Sequence, residues 1–224
     1  MKKLKFALSI IAFFVVLNTA DAKQIEQKQI LTADTVNDLQ RAPISFAGGI
    51  SMGATQAFPT GGLSNYFTPA IGFSISLGFS INRFYIGFQT VSDARMRLSK
   101  PLSESIYLQE GERFIYRDLT FPIGYTLIKG NRFELMPFVG IGRTTMRRFL
   151  HNYEFYIADT FTISPGLRTE FQLARFNLND PTMPSSLNFR LDVGYNMPMR
   201  FNYTPARGNV FYARAAIVWW FGDI

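Results

Sequence analysis

Eight separate stretches of this chain repeat hydrophobic side chains at every second residue, and that period constrains the fold more than any other feature. Side chains alternate between the two faces of a strand, whereas a helix returns them every three or four residues. The clearest stretch is Thr68–Ile81. There Ile71, Phe73, Ile75, Leu77 and Phe79 alternate with Gly72, Ser74, Ser76, Gly78 and Ser80. The same alternation predicts strands over Ile44–Thr55, Arg83–Ser92, Arg113–Ile128, Arg132–Arg143, Phe155–Leu173, Ser186–Asn196 and Asn209–Phe221. Each reaches the length of about 9 to 11 residues that a tilted strand needs to cross a membrane. An even count is what single-chain outer-membrane barrels use.

The links between these stretches alternate in length. Residues 56–67, 93–112, 144–154 and 197–208 read as long loops, while Asn82 and Lys129-Gly130-Asn131 read as tight turns. One membrane face with loops and one with turns produces that rhythm. With the N-terminus periplasmic, the long links are extracellular. The link 174–185 breaks the pattern, because it should be short. Pro122, Pro137 and Pro165 fall inside strands, where proline removes a ladder hydrogen bond, so local bulges are expected there.

Alternation alone also fits a soluble ligand-binding calyx. The polar face decides between the two. A calyx in water would carry many Lys and Glu on its outside, yet here that face is mostly Gly, Ser, Thr, Asn and Gln with isolated charges. Small residues suit the crowded interior of a narrow barrel. Charged residues make up only 17% of the chain, aromatics reach 16%, and there are 23 Phe. So many rings need a non-aqueous exterior. Tyr66, Phe67, Phe114, Tyr116, Tyr153, Phe155, Tyr195, Trp219 and Trp220 lie near strand ends and suit interfacial girdles. The expected fold is therefore all-β: an eight-stranded antiparallel up-and-down transmembrane β-barrel over residues 44–224, closed because hydrocarbon tolerates no open sheet edge.

The start of the chain reads as an export signal. Lys2, Lys3 and Lys5 precede the apolar run Phe6–Leu17, and Ala20-Asp21-Ala22 is a small-x-small cleavage site. Residues 1–22 form the expected signal peptide and residues 23–43 a polar periplasmic lead-in. Part of the net charge of +7 lies in that leader. The remaining cations are scattered, which favours an anionic lipid surface over nucleic acid. With no Cys, thiol chemistry, disulfides and Cys-ligated metals are excluded.

Two segments add a resemblance. Arg117-Asp118-Leu119-Thr120-Phe121-Pro122-Ile123-Gly124-Tyr125 resembles the strand with a central Pro in the Bacteroidetes outer-membrane β-barrel domain family. Met136-Pro137-Phe138-Val139-Gly140-Ile141-Gly142 resembles that family's next strand. The resemblance implies a porin-like barrel of OmpA/OmpX type in the outer membrane, and implies no single activity. The chain departs from a common barrel terminus, since Phe221 is followed by Gly222-Asp223-Ile224.

Two sets of residues are candidates for a site. Glu134, Arg168, Glu170, Arg190, Asp192 and Arg214 all fall on the small-residue face of the last four stretches. Enclosed charges must pair, so a network that plugs the lumen is expected. Arg95, Arg97, Arg143, Arg147 and Arg148 fall near loop-side strand ends, where arginine can contact lipopolysaccharide phosphates. His151 is the sole histidine, with no His-x-Ser or Gly-x-Ser-x-Gly motif beside it, so no catalytic triad, cofactor or metal site is expected. The reading is a non-enzymatic barrel whose extracellular loops bind a partner or stabilise the membrane. Lipopolysaccharide and other envelope proteins are its expected partners. The alternatives are an accessory subunit of a type IX-like secretion or surface-assembly system, or a lipid-modifying enzyme.

Overall fold

The computed structural model describes residues 45–102, 108–150, 153–177 and 184–222. The expected signal peptide and lead-in, His151 and the last two residues lie outside them. The strands in chain order are β1 (Phe46–Gly61), β2 (Ala70–Ile81), β3 (Phe84–Arg97), β4 (Arg113–Tyr125), β5 (Ile128–Lys129), β6 (Phe133–Leu150), β7 (Tyr153–Asn177), β8 (Pro184–Pro198) and β9 (Gly208–Gly222). β5 is a two-residue piece that pairs with the start of β6 inside a turn, and the other eight are long antiparallel strands. Each long strand pairs with its neighbours in sequence. β9 returns to pair with β1 over Ala47↔Gly222 to Gly61↔Gly208, and β4 pairs with β6, so the sheet closes into an eight-stranded up-and-down barrel.

The alternation settles which way each residue points. On β2, Ile71, Phe73, Leu77 and Phe79 are exposed while Gly72, Ser74, Ser76 and Gly78 are buried. The same holds around the whole barrel, with the apolar set outward and the small or polar set inward. Large aromatics also enter the lumen, seated where a facing strand carries glycine. A Cβ on Gly49 would lie 2.5 Å from the Trp220 ring, and one on Gly78 would lie 2.5 Å from the Tyr85 ring. Gly194 makes the same room for Tyr212, and Gly166 for Phe138. These ring-over-glycine pairs fill a tube otherwise too narrow for aromatic rings.

Several expectations need correction. β1 continues to Gly61 instead of ending at Thr55, pairing with β9 alone beyond Ala57. β3 runs to Arg97, through a register shift between Val91 and Ala94 with Asp93 at φ 56. β6 and β7 form a long hairpin, so the expected loop at 144–154 is nearly all strand, with a register shift between Met146 and Arg147. β7 extends to Asn177 past a third shift between Gln172 and Ala174, which shortens the link that broke the rhythm. At each shift one of the two paired strands carries an extra residue, which flips the phase of its alternation. A period-two reading then stops where the strand does not.

Two of the three prolines, Pro122 and Pro165, use a different device from the expected bulge. Pro122 sits where the β3–β4 ladder skips from Ile86↔Ile123 to Gln89↔Thr120. Pro165 sits where β7–β8 skips from Ile163↔Met197 to Gly166↔Gly194. Pro137 lies just past the last β4–β6 pair, Gly124↔Phe138. The register is unbroken across Pro122 and Pro165, and there the ladder opens on one side only, where the missing N–H would have been needed. Beside Pro137 the next pair is Ile128↔Leu135, so one extra residue enters between Gly124 and Ile128, as at a bulge.

The aromatic girdle is also smaller than expected. Phe67, Phe114, Tyr116 and Trp220 are buried inside, while Trp219 faces outward. At the loop end the inward aromatics join Leu63, Met96, Leu98, Met146, Ile157 and Val210 in an apolar cluster. The Gly78→Val variant would push a branched side chain into the Tyr85 ring. It is expected to destabilise the barrel by about 1–3 kcal/mol in urea titrations in lipid or detergent, whereas Ser80→Val near the strand end should have a smaller effect.

Candidate functional site

The inward charges of β7, β8 and β9 are direct register partners. Arg168 on β7 lies opposite Asp192 on β8, which lies opposite Arg214 on β9, and Glu170 on β7 lies opposite Arg190 on β8. Antiparallel register therefore places unlike charges side by side across three strands. Arg168 Nε and Nη2 donate to the two Asp192 carboxylate oxygens at 2.9 and 3.3 Å. Arg214 Nη2 donates to the same carboxylate. Glu170 accepts from Arg190 Nε at 2.7 Å, from Trp220 Nε1 at 2.8 Å and from Asn188 Nδ2 at 3.2 Å. Arg190 reaches across the lumen to donate to Ser76 Oγ on β2 at 3.2 Å, and that hydroxyl bonds Ser51 on β1.

Aromatic faces cover what the carboxylates leave open. The Arg168 guanidinium lies 4.4 Å from the centre of the Tyr85 ring and 5.4 Å from that of Phe138. Arg190 lies 5.6 Å from the Trp220 ring centre. Such contacts stabilise a desolvated cation. The three arginines and Asp192 are between 0 and 2% exposed, and Glu170 is 5% exposed. A second polar layer lies towards the loops, where Thr144 donates to Asp118 at 2.7 Å and Asn196 donates to Tyr116 OH at 2.6 Å. Beyond it comes the apolar cluster.

Five of the six expected lumen charges are thus gathered into one cluster. Glu134 is the exception. It faces Glu170 in register, but stands at the turn-end mouth, 4.0 Å from Lys129 and half-exposed. Tyr85, Trp220, Ser76 and Asn188 complete the cluster and were not expected in it. Trp220 could have been found from its phase, since it is one residue out of step with the outward Phe211, Ile217, Trp219 and Phe221.

The expected rim arginines divide. All sit within strands, not loops. Arg143 donates two bonds of 2.6 Å to Asp159, Arg147 pairs with Glu154 at 2.9 Å and Arg148 with Glu112 at 2.6 Å. Arg117 pairs with Asp93 at 3.0 Å. Arg95 and Arg97 are exposed on β3, and Arg113, absent from the expected set, is exposed directly opposite Arg97. Among the described residues no group of three or more His, Cys, Asp or Glu could hold a metal ion.

No family model matches the chain, and no curated protein matches it. Solved structures do. Neisserial surface protein A is 14% identical, with 78% of this chain and 95% of that one covered at a TM-score of 0.47. Ail, the attachment invasion locus protein of Yersinia pestis, is 12% identical, with 78% and 97% covered at 0.43. The N-terminal β-barrel domain of Pseudomonas aeruginosa OprF is 8% identical, with 78% and 96% covered at 0.37. At that distance the likeness is one of fold alone.

Asp192→Asn removes the charge that two buried arginines share. It is expected to destabilise the barrel by about 3–5 kcal/mol. Arg143→Gln, at an exposed pair, should cost less than about 1 kcal/mol. The temperature at which the folded gel band converts to the unfolded one checks both. A folded band of the Asp192→Asn variant as heat-resistant as the parent's would refute the network's structural role.

Proposed function

We propose that the chain is a non-enzymatic integral protein of the bacterial outer membrane, with a plugged lumen, acting through its loop end in binding or membrane stabilisation. The carrying observation is the outward face. Every long strand presents large apolar side chains to the exterior, with Ile71 at 66% and Phe84 at 65% exposure among the most open. Moving a Phe, Ile or Leu side chain out of water is worth about 1.5–3 kcal/mol, so a continuous band of them around a barrel calls for hydrocarbon. Closure supports the same reading, since no ladder edge is left to meet lipid. The basic, apolar leader at residues 1–22 supports export. The two segments that resemble the Bacteroidetes barrel family fall on β4 and β6, adjacent in the wall.

The lumen supports the absence of a conducting path. Buried ion pairs fill its turn-end half, and the apolar cluster of Leu63, Met96, Phe114, Met146, Ile157 and Val210 fills its loop-end half. An ion would have to displace a paired charge and then cross a dry apolar section.

Fractionation is the direct test. The mature chain should extract from the outer membrane only with detergent and shift on gels when heated. In planar bilayers it should give no stable conductance steps at neutral pH. A chain that is monodisperse in plain buffer, or one that opens ohmic channels, would contradict the location or the plug respectively.

A further inference from the structure

One stretch of the outer wall is unlike the rest. On β3 and β4 the outward residues run in register from the turn end as Phe84 with Tyr125, Ile86 with Ile123, and Thr90 with Leu119. After the register shift at Asp93 the sequence of pairs becomes Arg95 with Ile115, then Arg97 with Arg113. Apolar pairs give way to cations at one level. Arg97 and Arg113 are like charges directly opposite each other on adjacent strands, an arrangement that is destabilising by itself. The neighbouring cations Arg117, Arg143, Arg147 and Arg148 each have a carboxylate. No ion pair involves Arg95, Arg97 or Arg113 among the described residues.

Arg95 and Arg113 line an open cleft of about 400 Å3 together with Gly111, Glu112, Ile115 and Arg148, and Arg97 stands beside it as the register partner of Arg113. Glu112 is already held by Arg148 at 2.6 Å, so the cleft keeps an excess of positive charge. The far wall has no comparable group, its one exposed cation at that level being Arg207 just before β9. At the loop end of β1 and β9 the outward residues are Gln56, Phe58, Thr60, Asn209 and Phe211. A diffuse attraction to an anionic surface would place such strand cations all round the barrel. Concentration on one wall, against a cleft whose one carboxylate is taken, fits one discrete anion.

We propose that Arg95, Arg97 and Arg113 bind the phosphate monoester of a single membrane lipid whose chains lie along the β3–β4 wall. The proposal rests on the membrane reading above and specifies a lipid class and a place. Guanidinium groups present paired N–H donors that match phosphate oxygens. Ile115 and Leu119, with the edge-on rings of Phe88 and Phe121 whose centres are 5.5 Å apart, offer the acyl chains an apolar track immediately beneath. Bridging by one phosphate also relieves the Arg97–Arg113 repulsion. The register shift at Asp93 is what turns Arg95 and Arg97 outward, since without it the in-phase residues would be Ala94 and Met96.

The test is a lipid titration of the full mature chain in a nonionic detergent, read by native mass spectrometry. Phosphatidic acid, phosphatidylcholine and inorganic phosphate are the three probes. One phosphatidic acid should be retained per barrel, in preference to phosphatidylcholine, and inorganic phosphate should compete poorly. The R95Q/R97Q/R113Q variant should bind phosphatidic acid about tenfold more weakly or worse. The R117Q/R143Q/R147Q variant loses the same number of cations, all of them already paired, and should change by no more than about twofold. Equal losses in the two variants, or none in the first, would overturn the site. Inorganic phosphate binding as well as phosphatidic acid would overturn the lipid source. If the first variant fails the heat-shift assay for folding, Arg113→Gln alone should still weaken retention several-fold, and an unchanged affinity there would count equally against the proposal. A barrel that needs detergent but ignores phosphate refutes the lipid site alone. A chain soluble in buffer refutes the membrane reading beneath it.

Discussion

Closure of the hydrogen-bond ladder is the constraint on which the rest of this structure depends. An unpaired N–H or C=O facing hydrocarbon costs several kcal/mol, so a strand with a free edge could not stay in a bilayer. β1 meets β9 from Ala47 to Gly61, and β4 meets β6, so each of the eight long strands has a neighbour on both sides. Once eight strands are closed, the radius is small and half of all side chains are forced into a narrow interior. Everything distinctive about the lumen follows from that confinement. The interior must be filled, and any charge in it must be answered by another.

The filling is done in two ways along the tube. Near the turns, arginines and carboxylates meet as register neighbours and are lined by Tyr85, Phe138 and Trp220. Near the loops, methionines, leucines and aromatics pack with the 3-10 segments Gly62–Asn65 and Thr204–Ala206 through Leu63 and Ala206. The two regions differ in what they resist. The charged half is costly to break because each partner would be left buried alone. The apolar half excludes water and ions without any directional bond. The outer wall divides as well. Its apolar band is continuous round the barrel, while Arg95, Arg97 and Arg113, which have no ion pair among the described residues, gather at the loop end of β3 and β4.

Much of this was legible in the residues because a strand's faces need only a period of two to be assigned. Ser74 and Ser76 inward, Phe73 and Leu77 outward, required no knowledge of any neighbour. The same rule put Arg168, Glu170, Arg190, Asp192 and Arg214 in the lumen. It misplaced Trp220 because two adjacent tryptophans near a strand end were read by their chemistry and not by their phase. It cut β1 short at Thr55, where Gln56 begins a run without alternating hydrophobics. It cut β3 short where an extra residue inverted the alternation, and β6 at Arg143, where Thr144 and Thr145 interrupt it.

The sequence by itself determined the class of fold, the side on which each residue of a regular strand stands, and the set of charges that had to find partners inside. Those are local consequences of backbone geometry and of side-chain polarity. Only the tertiary structure decided which charge meets which, that Glu134 stands apart at the mouth with Lys129, and that Arg113 faces Arg97. Such choices depend on inter-strand register and on the shifts at Asp93, Met146 and Leu173. Register is set by pairings between residues far apart in the chain, summed around a closed ring, and no local pattern contains that sum.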